Sequence, residues 1–283
     1  MLPTFVGIGP GRTGTSMLYE VLCAHPEVHM ARGTKETNYF SHEYHRGLAW
    51  YEAFFTKDAG IRAVGEISNA YFYDAAVPAR IAEALPDVRL FTCLRNPFDR
   101  LRSVYSYRKR AGRLLPDLTL DDAVRRYDDL VEDNCYATKL RAYFRHVDRQ
   151  QLLILFYDDL IGDPERFIEQ LFAFIGVAVE FRPDVLYERV NASAAAWSPR
   201  VGALASDVAE FLRQRGMLRA LDWAKRSRLI RRAVLRPVGS QEPAAAPFLQ
   251  EDTRARLLEA WGSEIEQVER WTGRSLGHWL DPS

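Results

Sequence analysis

"GPGRTGTS", residues 9–16, joins two segments of opposite periodicity. Before it, "PTFVGIG" (3–9) is a short apolar run that reads as a buried strand; after it, "TSMLYEVLCAHP" (15–26) repeats its apolar residues at helical spacing until Pro26. Strand, glycine loop and helix together form a phosphate site, because loop N–H groups and a helix N-terminus converge on an anion. The nucleotide-loop pattern GxxxxGK[ST] is met at Gly9, Gly14 and Ser16, but its lysine position holds Thr15. That lysine normally bridges the outer phosphates of ATP; here Arg12 is the one cation of the loop. A nucleotide with a short 5′ chain suits such a loop better than a triphosphate. The plainer alternative is that Gly9, Gly11 and Gly14 only make a tight turn between strand and helix.

Composition narrows the class. The 283 residues, 47% of them hydrophobic, are enough for one large core, and a single domain over 1–283 is expected, with a nucleotide-binding core at 5–177 and a helical C-terminal part at 178–283. Lys and Arg total 38 and so do Asp and Glu, which argues against a protein that coats nucleic acid or an anionic membrane. Cys23, Cys93 and Cys135 have no metal-ligand spacing and fit free thiols in a reducing compartment. The N-terminus has neither a charged region nor a long apolar one, and no run approaches a span of about 20 apolar residues, so a cytoplasmic chain with no transmembrane segment is expected. His42 and His45 have ligand-like spacing without an evident third ligand, and no metal is expected.

Along the chain "TFVGIG" (4–9), "IRAVGEI" (61–67), "VRLFTCL" (88–94) and "QLLILFY" (151–157) read as strands buried on both faces. Helical patterns occupy 14–25, 76–85, 97–112 and 164–175, further helices 119–146, and the pattern beyond 200 is helical apart from a loop at 236–247. This alternation predicts an α/β fold, three layers with a mostly parallel central sheet and ligands at the carboxyl ends of its strands.

A second anion signal is "LRNPFDRLRSVYSYRKR" (94–110). Arg95 ends a buried strand, Pro97 suits the first turn of a helix, and Ser103 follows about two turns later, so both side chains can face one crevice. Arg108, Lys109 and Arg110 read more simply as an exposed basic face. Arg95 does not, because an arginine at the end of so apolar a strand needs a partner.

"GPGRTGTSMLYEVLCAHPEV" (9–28) is similar to the 5′-phosphosulfate loop of sulfotransferases that use 3′-phosphoadenosine-5′-phosphosulfate (PAPS), and "CLRNPFDRLRSVYSY" (93–107) resembles their 3′-phosphate motif. "KETNYFSHEYHRGLAWYEAFF" (35–55) and "GEISNAYFYD" (65–74) resemble matching segments of the heparan sulfate branch and its bacterial relatives, with a weaker echo at 152–177. The resemblance implies a P-loop NTPase-like sulfotransferase fold with PAPS as donor and no metal requirement. It implies that Arg12 stands beside the phosphosulfate bridge, that Thr13, Gly14, Thr15 and Ser16 hold the 5′-phosphate, that Arg95 and Ser103 hold the 3′-phosphate, and that Glu36 is the general base. The plainer role for Glu36 is a surface ion pair with Lys35.

The chain also departs from that pattern. Ile67 stands where the heparan branch commonly has a lysine after the glutamate that aligns with Glu66, which counts against a heavily anionic sugar chain as acceptor. The cysteine-bridged loop of that branch has no counterpart in "RVNASAAAWSPR" (189–200), where Ser198 and Arg200 are candidates for phosphate contact. The aromatic clusters 38–40 and 71–73 line either an acceptor pocket or the core, and the basic run 223–237 reads as an amphipathic helix. Expected ligands are thus PAPS, its product 3′-phosphoadenosine-5′-phosphate (PAP), and an unidentified acceptor: a metabolite, lipid, saccharide or carrier-bound group. Two other readings are a kinase with a degenerate loop and a non-catalytic nucleotide-binding protein.

Overall fold

Phe5–Gly7 (β1) runs fully buried through the middle of a five-stranded sheet. Val28–Met30 (β2), Ala63–Ile67 (β3), Arg89–Leu94 (β4) and Leu152–Phe156 (β5) complete it in the order β2-β3-β1-β4-β5, every neighbouring pair parallel. Strands buried on both faces must be apolar nearly throughout, which is why FVG, RLFTCL and LLILF lack the apolar and polar alternation of a half-exposed sheet. Successive side chains feed two cores: Val6, Leu90 and Phe156 enter one, Phe5, Phe91 and Leu155 the other. The computed structural model describes residues 1–56, 59–187 and 249–280, with the backbone of 194–196 and 235–237.

Among the described residues the helices are Thr15–Ala24 (α1), Leu48–Glu52 (α2), Val77–Ala84 (α3), Pro97–Arg110 (α4), Leu120–Arg126 (α5), Asp129–Glu132 (α6), Tyr136–Phe144 (α7), Tyr157–Gly162 (α8), Pro164–Ile175 (α9) and Glu251–Thr272 (α10). Leu18 and Leu22 of α1 with Phe167, Leu171 and Phe172 of α9 close one core. Ile81 of α3, Phe98 and Leu101 of α4, Leu140 of α7 and Trp261 of α10 close the other, which gives the expected three layers. Trp261 is fully buried, edge-on to Phe98 with centroids 5.0 Å apart, and its indole N–H donates to the Val131 carbonyl at 3.1 Å.

All four expected strands are present, and α9 occupies the expected span. The edge strand β2 was not foreseen, because three residues, VHM, are too few to show a period. Ala194–Ala196 (β6) pairs antiparallel with Leu235–Pro237 (β7), so the expected loop at 189–200 contains a short strand and the basic run 223–237 ends in one rather than in a helix. The remainder of that run, with Arg226, Arg228, Arg231 and Arg232, lies outside the described residues, as do Ser198 and Arg200.

Candidate functional site

The loop after β1 is shaped by positions a side chain cannot occupy. Gly14 caps α1 at φ +86°, and a Cβ there would lie 2.6 Å from Leu160 Cδ2. Gly9 has φ +91°, with the Asn69 carbonyl oxygen 2.8 Å from where its Cβ would be. Because Gly14 has no side chain to cap α1 and no acidic residue lies in the first turn, the first N–H groups of α1 are left for an anion. Thr13 is fully buried and its hydroxyl donates to the Pro10 carbonyl at 2.7 Å, so of the expected phosphate ligands it offers only its backbone. The loop is braced from beneath by Arg100, which sequence reading missed: its Nε donates to the Gly11 carbonyl at 3.0 Å, Nη1 to Asn134 Oδ1 at 2.8 Å, and Nη2 to the Tyr73 hydroxyl. The Gly11 N–H donates to the same hydroxyl at 3.2 Å.

Arg95 and Ser103 are linked through Arg12, which bonds to both. Asn96 caps α4 by accepting the Phe98 N–H at 2.9 Å, with Pro97 in the first turn, so the helix starts directly behind Arg95. Arg12, at φ +71°, donates through Nε to Ser103 Oγ at 3.0 Å and lies 5.3 Å over the Tyr107 ring. Arg95 Nη1 reaches the Arg12 carbonyl at 3.4 Å, and the guanidinium lies 4.6 Å over Tyr157. Burial first, then Arg110 and Arg95, pull the Arg12 pKa below its ordinary value. Arg95 Nε is buried without a hydrogen-bond partner among the described residues. A crowded set of cations with an unsatisfied buried donor fits a bound anion.

Across the loop stands the carboxylate. Glu36 Oε1 accepts from Asn69 Nδ2 at 2.6 Å, and the main chain around it is tied on both sides: Thr34 Oγ1 donates to the Glu36 carbonyl at 2.8 Å, and the Thr37 N–H donates to Glu66 at 3.1 Å. Lys35 is 3.7 Å from Glu36, but its Nζ lies closer to the loop, 3.1 Å from Thr15 Oγ1 and 3.3 Å from Ser16 Oγ. Asn69 and Glu66 are neighbours of the candidate site to which sequence reading gave no role, and Lys35 one to which it gave only the ion pair of the plainer reading of Glu36. Asn69 carries no signal of its own; Lys35 could have been found by asking which cation substitutes for Thr15. Of the aromatic clusters, Tyr39, Phe40, Tyr71 and Phe72 are core, each at most 3% exposed. Tyr73 is half-buried and lines a cavity of about 260 Å³ with Asp74, Lys139, Arg141 and Arg145.

Behind Arg100, burial pushes the Asp133 carboxyl up to about 6, against the attraction of Arg100. A folded-state value above the ordinary 3.8 means that its stabilisation is complete below about pH 4 and is lost as pH rises towards 6. Asp133→Asn should therefore gain on the wild type between pH 4 and 6 and hold a constant advantage above it, at most about 3 kcal/mol. Thermal unfolding at pH 4.5 and pH 8 checks this; an equal difference at both would exclude the buried charge as its source.

A parallel sheet with a glycine loop opening a helix at its carboxyl edge, two arginines gathered beside that loop and a tethered carboxylate is an arrangement suited to a nucleotide-dependent transferase. The family model for the sulfotransferase domain matches residues 3–198, and the chain belongs to that family. It is 28% identical over 207 residues to bifunctional heparan sulfate N-deacetylase/N-sulfotransferase 4 of Mus musculus, covering 64% of this chain and 23% of that protein. It is 27% identical over 183 residues to heparan sulfate glucosamine 3-O-sulfotransferase 3B1 of Mus musculus, covering 62% of this chain and 46% of that protein. The chain thus spans less than half the length of either relative. In fold it resembles a sulfotransferase from Alicyclobacillus acidocaldarius, with TM-score 0.69 at 20% identity over 99% of both chains. Mouse sulfotransferase SULT7A1 complexed with PAP superposes with TM-score 0.53 at 14% identity, over 98% of this chain and 86% of that one.

Proposed function

We propose that this chain transfers a sulfuryl group from PAPS to a hydroxyl, less readily an amine, of a small-molecule, lipid or saccharide acceptor. The observation that carries this reading is the placement of Glu36, held by Asn69 at 2.6 Å, beside a loop built for phosphate. The bound donor would supply an activated sulfuryl group on its 5′-phosphate. Glu36 takes the proton from the acceptor oxygen, that oxygen bonds to sulfur, and the sulfur–oxygen bond to the phosphate breaks with its electron pair remaining on the phosphate. Loop N–H groups and the surrounding cations then face the charge that develops there. Proton and charge are both accounted for by these residues. Heparan sulfate stands in the names of the relatives; in this chain Ile67, in place of the lysine of the heparan branch, is fully buried and offers no cation to an anionic acceptor, which favours one with less negative charge. The same proposal places the protein in the cytoplasm, in keeping with cysteines that carry no disulfide.

Calorimetric titration with PAP and with ATP, each with and without magnesium, tests the donor. Magnesium-independent binding of PAP alone supports the reading, whereas binding of ATP only, and only with magnesium, would transfer the case to a kinase with a degenerate loop. Arg95→Ala should weaken PAP binding by about 10-fold to 100-fold, the loss of charge-assisted hydrogen bonds to the 3′-phosphate, and leave 5′-AMP binding within about twofold. Equal losses for the two nucleotides would remove Arg95 from the 3′ site.

A further inference from the structure

We propose that Lys35 is the cation that serves the 5′-phosphate of the donor, the position vacated by Thr15 in the loop, and that Arg12 serves the 3′-phosphate instead. This rests on the PAPS reading above and divides its cations differently from the family pattern, in which the loop cation stands beside the phosphosulfate bridge.

Two independent geometries converge on it. Arg12 has turned away from the start of α1: its left-handed φ of +71° directs the side chain to Ser103 on α4, where Nε donates at 3.0 Å under the shelter of Tyr107. No hydrogen bond connects Arg12 to Thr15 or Ser16 among the described residues, and the charges that depress its pKa after burial are Arg110 and Arg95. Lys35 arrives from the opposite side, on the segment after β2, and places Nζ within hydrogen-bond distance of both hydroxyls that open α1. An ammonium there adds a full charge to a helix N-terminus that has no acidic residue in its first turn.

The simpler role, a neutralising partner for Glu36, accounts less well for the distances. Glu36 is 3.7 Å from Lys35 Nζ, and its nearest partner is Asn69 at 2.6 Å. Burial is the main influence on the Lys35 pKa and lowers it, with Glu36 acting in the opposite direction. A half-buried ammonium that gives its best contacts to two neutral hydroxyls gains most when an anion enters between them. Consecutive residues then act on the two ends of the reaction. Glu36 accepts the proton released as the acceptor oxygen bonds to sulfur; Lys35 donates a hydrogen bond to the phosphate oxygen that keeps the electron pair of the broken bond, leaving PAP.

The test compares PAP, adenosine 3′-monophosphate and 5′-AMP by calorimetric competition, using wild type, Lys35→Met, Lys35→Arg and Arg12→Met. The ratio of PAP affinity to adenosine 3′-monophosphate affinity isolates the 5′-phosphate. Lys35→Met should reduce this ratio by about tenfold or more and leave adenosine 3′-monophosphate binding within about twofold, and Lys35→Arg should restore most of the ratio. Arg12→Met should weaken adenosine 3′-monophosphate by about tenfold and spare 5′-AMP. An unchanged ratio in Lys35→Met, with a collapsed one in Arg12→Met, overturns the assignment and returns the bridge to Arg12. If wild type binds none of the three nucleotides, the donor reading itself fails and this inference falls with it; intact wild-type binding keeps the two failures apart.

Discussion

Glu36→Gln is expected to lower sulfuryl transfer by about 10²-fold to 10⁴-fold, the span over which a positioned general base acts, while PAP affinity stays within about twofold. Glutamine preserves the shape of the side chain, and its Oε1 can still accept from Asn69 Nδ2, the contact that measures 2.6 Å in the native site. What it cannot do is take a proton from an acceptor hydroxyl. The prediction separates this carboxylate from the proposed donor-binding groups, since Arg12 bonds to both Ser103 and Arg95 and, among the described residues, none of the three bonds to Glu36. The measurement is transfer from labelled PAPS to an acceptor found by screening, paired with PAP titration of the same preparation. Turnover at the wild-type rate would sink the assignment. Loss of PAP affinity equal to the loss of turnover would show Glu36 to be a scaffold of the loop rather than the base.

The loop and the second anion signal were legible because each depends on local rules. Gly14 must be a glycine both for its left-handed φ and for the 2.6 Å that separates its missing Cβ from Leu160. Arg95 was conspicuous as a cation ending a buried strand, and its Nε is buried without a hydrogen-bond partner among the described residues, a donor that a bound anion would satisfy. The parallel sheet followed from four strands apolar on both faces with helices between them. What sequence could not show were meetings across the sheet. Arg100 lies 89 residues from the Gly11 carbonyl it braces, and Asn69 lies 33 residues from Glu36. Both are ordinary polar residues in their own segments, and only the parallel order of the strands brings their side chains to one edge. Lys35 entered only as the ion-pair partner in the plainer role of Glu36, since proximity in sequence was the only proximity visible; the fold keeps it 3.7 Å from Glu36 and also extends it to Thr15 and Ser16. The aromatic clusters illustrate the converse, since a buried ring and a pocket ring have the same sequence signature, and depth in the fold decides between them.

Glu66 is the residue whose removal should be most damaging to the framework beneath the base. It is fully buried in β3 with no ion-pair partner among the described residues, and its carboxylate is satisfied by neutral donors alone. Oε2 accepts from the Thr37 N–H at 3.1 Å, Thr37 Oγ1 at 2.7 Å and Ser68 Oγ at 2.6 Å; Oε1 accepts from Tyr51 at 2.7 Å and Tyr71 at 2.8 Å. Burial first, then the charge of Glu66, raises both tyrosine hydroxyls well above their ordinary range, so they remain donors at any working pH. Glu66→Ala leaves the Thr37 N–H and the Ser68 and Tyr51 hydroxyls without their acceptor in the core, though Thr37 Oγ1 and the Tyr71 hydroxyl, 3.1 Å apart, can still pair; at about 1–3 kcal/mol for each group that water cannot reach, the sum approaches the whole stability of a domain. Little soluble protein is the expected result. Glu66→Gln is the informative variant: one end of its amide can still accept from the tyrosines, but the other then presents N–H to the N–H of Thr37. A fall in Tm of about 5–10 °C follows from a loss of about 2–3 kcal/mol in a chain of this size. Because the Thr37 amide fixes the residue next to Glu36, turnover should fall further than unfolding explains at a temperature where the variant is fully folded, with PAP binding retained. A Glu66→Gln protein as stable and as active as wild type would show that the buried carboxylate neither supports the segment nor positions the base.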